Sequence, residues 1–181
     1  MRYRRSTVEG ASYFFTVVTD QRRPLFTDSR IVAMLKDAIQ GVRARRPFVI
    51  EAQVVLTDHL HALWTLPDDD RDYPTRWRLI KEGFTRSYVS EFGETQRSDR
   101  RRARGEQAIW QRRYWEHLIR NDRDFTAHLD YIHLNPVKHG LVRAPRDWPH
   151  STFMDWVARG TYELTWGSGD MPPLPEWAGR E

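Results

Sequence analysis

The chain has 181 residues, 39% of them hydrophobic and 30% charged, with a formal net charge of +4 and no cysteine. That length suits one domain with a proper core, for which eight Trp, eight Phe and seven Tyr supply bulk. The composition excludes disulfides, thiolate metal sites and, for want of 18 consecutive apolar residues, a transmembrane helix. The basic start Met1-Arg2-Tyr3-Arg4-Arg5 leads into strand-like sequence and not a signal-peptide core, so a cytoplasmic protein without membrane association is expected.

In chain order, β-branched and aromatic residues 12–19 predict a strand, which Gln21-Arg22-Arg23-Pro24 breaks. Asp28 is placed to cap a helix with Ile31, Leu35, Ala38 and Val42 at helical spacing, ended by Pro47. Residues 48–56 alternate as a second strand, with Phe48, Ile50, Ala52, Val54 and Leu56 expected on one face. Thr57-Asp58 turns this into a hairpin with the next strand. There Leu60, Ala62, Trp64 and Leu66 share one face, and His59, His61, Leu63 and Thr65 the other.

Pro67 and three aspartates close that strand, and Pro74 opens a helix with an apolar stripe of Trp77, Ile80, Phe84 and Tyr88. Residues 97–105 hold five arginines in nine positions and read as a loop. Residues 112–119 read as a further strand. Asn121 or Asp122 then caps a third helix that docks through Phe125, Leu129 and Ile132. Pro136 marks a break or kink at Asn135, and Gly140 a stop. Trp148-Pro149-His150-Ser151 leads to a short amphipathic piece around Phe153, Trp156 and Val157, before a Pro-rich tail.

Strand, helix, strand, strand, helix, strand is the ferredoxin-like split βαβ order. The expected fold is α+β: a four-stranded antiparallel sheet with helices on one face and an additional helix toward the other. The histidine strand should be central, its imidazoles facing the side that the third helix partly covers.

His-x-His on a strand offers two neutral imidazoles without bending the backbone, and imidazole is the commonest protein metal ligand. On an ideal helix, Asp124, His128, Tyr131 and Asn135 fall in a band about 60° wide beside the docking stripe. His133 lies on the other flank. A phenol and an amide one turn apart are thus set beside the histidine face.

The charge is uneven. Residues 160–181 carry a net −3, leaving +7 on residues 1–159, and 26 of the 29 basic residues are Arg. Arginine forks match phosphate oxygens, which points to a nucleic-acid partner. Arg2, Arg4, Arg5, Arg76, Arg78, Arg100, Arg101, Arg102 and Arg104 are the candidate phosphate contacts. The acidic tail 160–181 is read as a segment able to fold back over the basic groove.

Three stretches, residues 57–64, 114–120 and 130–142, are similar to the REP-associated tyrosine transposases, single-tyrosine members of the HUH superfamily. The likeness runs from Tyr3-Arg4-Arg5 to Phe153. It implies that Tyr131 is the catalytic nucleophile, and that His59, His61 and Asn135 hold Mg²⁺ or Mn²⁺. It implies cleavage and rejoining of single-stranded DNA at REP-type hairpins through a 5′-phosphotyrosine, by a monomer or, as the alternative, a dimer. Residues 1–159 would form the transposase domain.

His128, one turn before Tyr131, is a candidate base or phosphate contact. His117, His139 and His150 are read as structural or phosphate-contacting. Two other functions fit the same residues: a catalytically silent hairpin DNA- or RNA-binding protein on this scaffold, and a metallohydrolase without covalent intermediate.

Overall fold

The computed structural model describes residues 7–169; Arg2, Arg4, Arg5 and the tail beyond residue 169 lie outside the described residues. Four strands, β1 (Ser12–Val18), β2 (Val49–Val55), β3 (His59–Thr65) and β4 (Trp115–Leu118), form one antiparallel sheet in the order β2-β3-β1-β4. This is the expected split βαβ topology, with β3 and β1 inside. None of the described helices is long and apolar enough to cross a membrane.

Helices α1 (Ser29–Arg45) and α2 (Tyr73–Phe92) cover one face. Asp28 caps α1 by accepting from the Arg30 N–H, and Asp72 caps α2 through the Thr75 N–H. Between helices and sheet lie Tyr13, Phe15, Val17, Leu60, Ala62 and Trp64 from the strands. Trp64 and Trp77 stack there with ring centroids 4.2 Å apart.

The other face carries Phe14, Leu63, Ala52, Val54 and Leu56. It is covered by α4 (Asp122–Lys138) and α5 (Phe153–Ala158). Asn121 caps α4 by accepting from the Asp124 N–H. Packing continues past residue 159: Tyr162 is buried in this second core and its hydroxyl donates to Asp130 Oδ1 at 2.6 Å.

Four expectations are corrected. The alternation of residues 48–56 does not hold to one face, because the β2–β3 register shifts between Ile50 and Ala52. This bulge at Glu51 sends Phe48 and Ile50 to the α1/α2 side, and Ala52, Val54 and Leu56 to the α4 side. Second, residues 97–105 contain a short helix, α3 (Asp99–Arg102), capped by Ser98. Third, the strand predicted over 112–119 is only the four residues of β4.

Fourth, α4 runs through Pro136 and ends two residues later. A proline there removes one hydrogen bond near the helix end. The helix then closes on Gly140, at φ 66°: the Gly140 N–H donates to the Val137 carbonyl and the Leu141 N–H to that of Pro136. That pair of bonds is the Schellman motif, and glycine takes its left-handed position without a Cβ clash.

β2 would be an exposed edge, but residues 148–156 close it. Val55 N–H donates to the His150 carbonyl, Gln53 N–H to Thr152 Oγ1, and the Trp148 and Trp156 indoles to the Val55 and Glu51 carbonyls.

Candidate active site

β3 delivers His59 and His61 to the α4 side of the sheet, both buried. Each is oriented through Nδ1. His61 Nδ1 is 3.0 Å from Oγ1 of Thr16, its cross-strand partner on β1. His59 Nδ1 is 2.5 Å from Asp58 Oδ1. Asp58 is in turn held by Arg22 at 3.1 Å, and Arg22 sits in the left-handed region at φ 51°. With Nδ1 engaged, Nε2 is the ligating atom each ring would offer.

Burial pushes His59 below the usual histidine range against the opposing pull of Asp58, and pushes the fully enclosed His61 well below it. Both rings are therefore neutral at pH 7, the state that ligates a metal. Burial raises the Asp58 carboxyl, but hydrogen bonding by His59 and Arg22 outweighs this and holds it low.

From α4, the Tyr131 ring lies 5.3 Å from that of His61, and the His59 and His61 centroids are 4.9 Å apart. Tyr131 is 1% exposed and Asn135 is fully buried. Asn135 Nδ2 donates to the Tyr131 carbonyl at 3.4 Å, which fixes the amide orientation. The Asn135 side chain is close enough to His61 to act on it as a hydrogen-bonding group and raise it slightly, although the buried Oδ1 makes no hydrogen bond of regular geometry among the described residues. A buried acceptor with no donor is costly unless something else occupies it. Two neutral imidazoles and a buried amide oxygen with spare acceptor capacity are a donor set that fits a divalent ion such as Mg²⁺ or Mn²⁺.

Four further residues stand at this site, three of them not singled out from sequence and His139 expected only as a structural or phosphate-contacting residue. Thr16 and Asp58 orient the histidines. Lys138 Nζ donates to the Tyr131 hydroxyl at 3.0 Å, and the His139 ring lies 5.4 Å from that of His59. Reading Pro136 as a break or kink hid Lys138. Once α4 is known to reach Lys138, that residue falls two turns beyond Tyr131.

His128 stands apart from this group. Its ring packs on Phe14 at 4.8 Å and His117 at 4.6 Å, and its Nδ1 donates to the Asp124 carbonyl at 2.8 Å. Burial lowers its pKa to about 4. His117, Asp124 and His128 do bring possible metal-ligand atoms within 4.8 Å of one another. However, the two rings stack at 18°, so their lone pairs do not converge, and Asp124 Oδ2 already accepts from His117 Nε2 and from the Arg120 Nε and N–H. Burial raises Asp124, and those donors reverse the shift and hold it well below the carboxylate range.

Of the arginines named from sequence, Arg76 is corrected. It is 1% exposed and grips Asp70 with two bonds of 3.0 and 2.7 Å, and it donates to the Arg46, Pro47 and Asp72 carbonyls. Its donors are thus spent inside the protein, where it ties α2 to the loop before β2. Arg101 is half-buried, bound to Asp20 and to the Gln107 carbonyl. Arg78, Arg100, Arg102 and Arg104 are exposed.

Fold and site together define a split βαβ domain that sets a strand-borne histidine pair against a helix-borne tyrosine. No protein-family model matches the chain. A REP-associated tyrosine transposase of Escherichia coli (strain K12) is 45% identical over 169 residues, 93% of this chain and 92% of that protein. A Haemophilus influenzae protein of the same family name is 40% identical over 166 residues, 91% of this chain and 92% of its own. A solved structure of a REP-associated tyrosine transposase bound to a REP hairpin is similar with a TM-score of 0.78 at 43% identity, covering 96% of this chain and 94% of that one. The chain belongs to the REP-associated tyrosine transposases.

Proposed function

We propose that this protein binds REP-type hairpin or single-stranded DNA and cleaves and rejoins it through a 5′-phosphotyrosine on Tyr131. His59, His61 and Asn135 would hold a divalent ion. The observation that carries this reading is the meeting of Tyr131 with two neutral histidines and the buried Asn135 amide in one site.

The chemistry a bound ion supplies is withdrawal of charge from the scissile phosphate and its alignment for in-line attack. The protein's own groups do the rest. The Tyr131 hydroxyl attacks phosphorus and the 3′ oxygen leaves. The ester keeps the bond energy, so rejoining by a 3′-hydroxyl needs no ATP. The Tyr131 ring itself is enclosed at this face of the sheet. Exposed Arg78, Arg100, Arg102 and Arg104 are the phosphate contacts that this reading retains.

The same enclosure favours a second reading, a catalytically silent hairpin-binding protein, since a phosphate must reach a hydroxyl that is 1% exposed. Tyr131→Phe separates the two. Under the first reading the wild type forms a covalent adduct on a denaturing gel with a hairpin oligonucleotide, and Tyr131→Phe binds the hairpin in a native gel without forming any. An adduct that persists in the variant overturns the assignment of Tyr131, and a wild type that binds without any adduct establishes the silent binder.

A further inference from the structure

We infer that Lys138 is a catalytic residue of this site, whose ammonium holds the Tyr131 oxygen and stabilises the phenolate that forms when it gives up its proton for attack and again when it leaves on rejoining. The inference rests on Tyr131 being the nucleophile. Its observation is the contact itself: Lys138 Nζ donates to the Tyr131 hydroxyl at 3.0 Å and lies 4.7 Å from the ring centroid.

Sequence and helix geometry make this contact specific. Seven residues are close to two full turns, so Lys138 and Tyr131 share a face of α4. Side chains on a helix lean toward its N-terminus, which sends the Lys138 stem back along the helix toward Tyr131. The Schellman closure at Gly140 fixes the turn from which that stem departs. Lys138 is one of only three lysines in a chain with 26 arginines. A compact ammonium can sit against one phenol oxygen, where a planar guanidinium would need a second acceptor.

In the step itself, Tyr131 Oη forms its bond to phosphorus as the P–O3′ bond breaks. The 3′ oxygen leaves with the bonding pair and gains a proton from water, and the phenol proton passes to water. The Lys138 ammonium keeps its three protons and serves as a fixed donor aimed at the oxygen that becomes phenolate as that proton leaves.

The test uses full-length protein, Lys138→Met and Lys138→Arg, with a REP-type hairpin oligonucleotide. A second substrate carries sulfur in place of the bridging 3′ oxygen, a leaving group that needs no proton. Lys138→Met should bind the hairpin as the wild type does and form adduct about 100-fold more slowly. Lys138→Arg should recover part of that loss, which also guards against a misfolded methionine variant. The sulfur substrate should leave the ratio of wild type to Lys138→Met unchanged, because the defect lies in the nucleophile.

A ratio that collapses toward one with sulfur would assign Lys138 to the leaving group and overturn the inference. Loss of hairpin affinity in step with rate would make it a phosphate anchor, and an unchanged rate would make it packing. Failure of the underlying reading looks different: the wild type then forms no adduct, or Tyr131→Phe still forms one.

Discussion

The same two strands build both faces of the sheet, yet the faces are made on different terms. Toward α1 and α2 they present Tyr13, Phe15, Val17, Leu60, Ala62 and Trp64, and the space is filled by volume and ring stacking. Toward α4 they present Phe14, Thr16, His59, His61 and Leu63, and α4 answers with buried Asp124, His128, His133 and Asn135. The first face gains from nearly every atom it hides. The second hides polar groups whose enclosure is tolerable only where each has a partner or a ligand. Stability should therefore reside mainly in one face, and acid sensitivity and chemistry in the other.

The largest expected effect on stability belongs to the apolar face. Trp64→Ala removes the ring that stacks on Trp77 and lies 5.0 Å from Phe15. Urea unfolding should show a loss of about 3–5 kcal/mol. Tyr131→Phe on the other face should cost only about 1 kcal/mol, the net value of one hydrogen bond. Equal losses would mean that the α4 face carries as much of the core as the first.

Acid should reverse the ranking. Burial lowers His133 to about 3 and His128 to about 4. Their folded values lie below the unfolded value near 6.5, so the unfolded chain takes up protons first as pH falls. Their contribution is fully present above about pH 6.5 and declines as pH drops toward those folded values, at about 1.4 kcal/mol per pH unit for each ring. Urea midpoints measured from pH 7 to pH 4.5 should fall accordingly, and His133→Leu should flatten the decline by one ring's share. An unaltered slope in that variant would show that His133 protonates without unfolding its surroundings.

Metal addition tests where on the α4 face the ligand lies. Mn²⁺ at about 100 times its dissociation constant should stabilise the protein by about 2.7 kcal/mol, seen as a rise in melting temperature. His59→Ala should abolish the rise and His117→Ala should leave it intact. The opposite pattern would move the site to the His117, Asp124 and His128 cluster.

Much of this architecture was legible in the sequence, because its signals are local. The β3 alternation, the Asp28 and Asn121 caps and the band holding Tyr131 and Asn135 all follow from spacing and capping chemistry. What was missed depends on partners distant in sequence. The Glu51 bulge exists only relative to β3. Arg76 resembles any helix-surface arginine until Asp70 and three carbonyls are seen closing on it. Pro136 carried a true statistical warning that the closure at Gly140 overrides, so the helix that carries Lys138 was expected to break or kink at Asn135.

Thr16 is the clearest of these cross-strand cases, and it offers the finest test of the comparison. It lies opposite His61 in the β1–β3 register, and its hydroxyl meets Nδ1 at 3.0 Å. Thr16→Val keeps the branched shape that suits a strand and deletes only the oxygen. Loss of one buried hydrogen bond should cost about 1 kcal/mol, as little as is expected of Tyr131→Phe. Its functional cost should be larger, because the hydroxyl fixes the tautomer and the angle of a ring proposed as a metal ligand. Apparent Mn²⁺ affinity, read from the thermal shift, should fall about 10- to 100-fold, the usual loss when the group behind a ligating histidine is removed. The same exchange on the apolar side, Val17→Thr, should reverse the pattern: a hydroxyl buried among Leu60 and its neighbours should lower stability and leave Mn²⁺ affinity unchanged. If both variants shift stability and affinity alike, the sheet does not separate the two tasks between its faces.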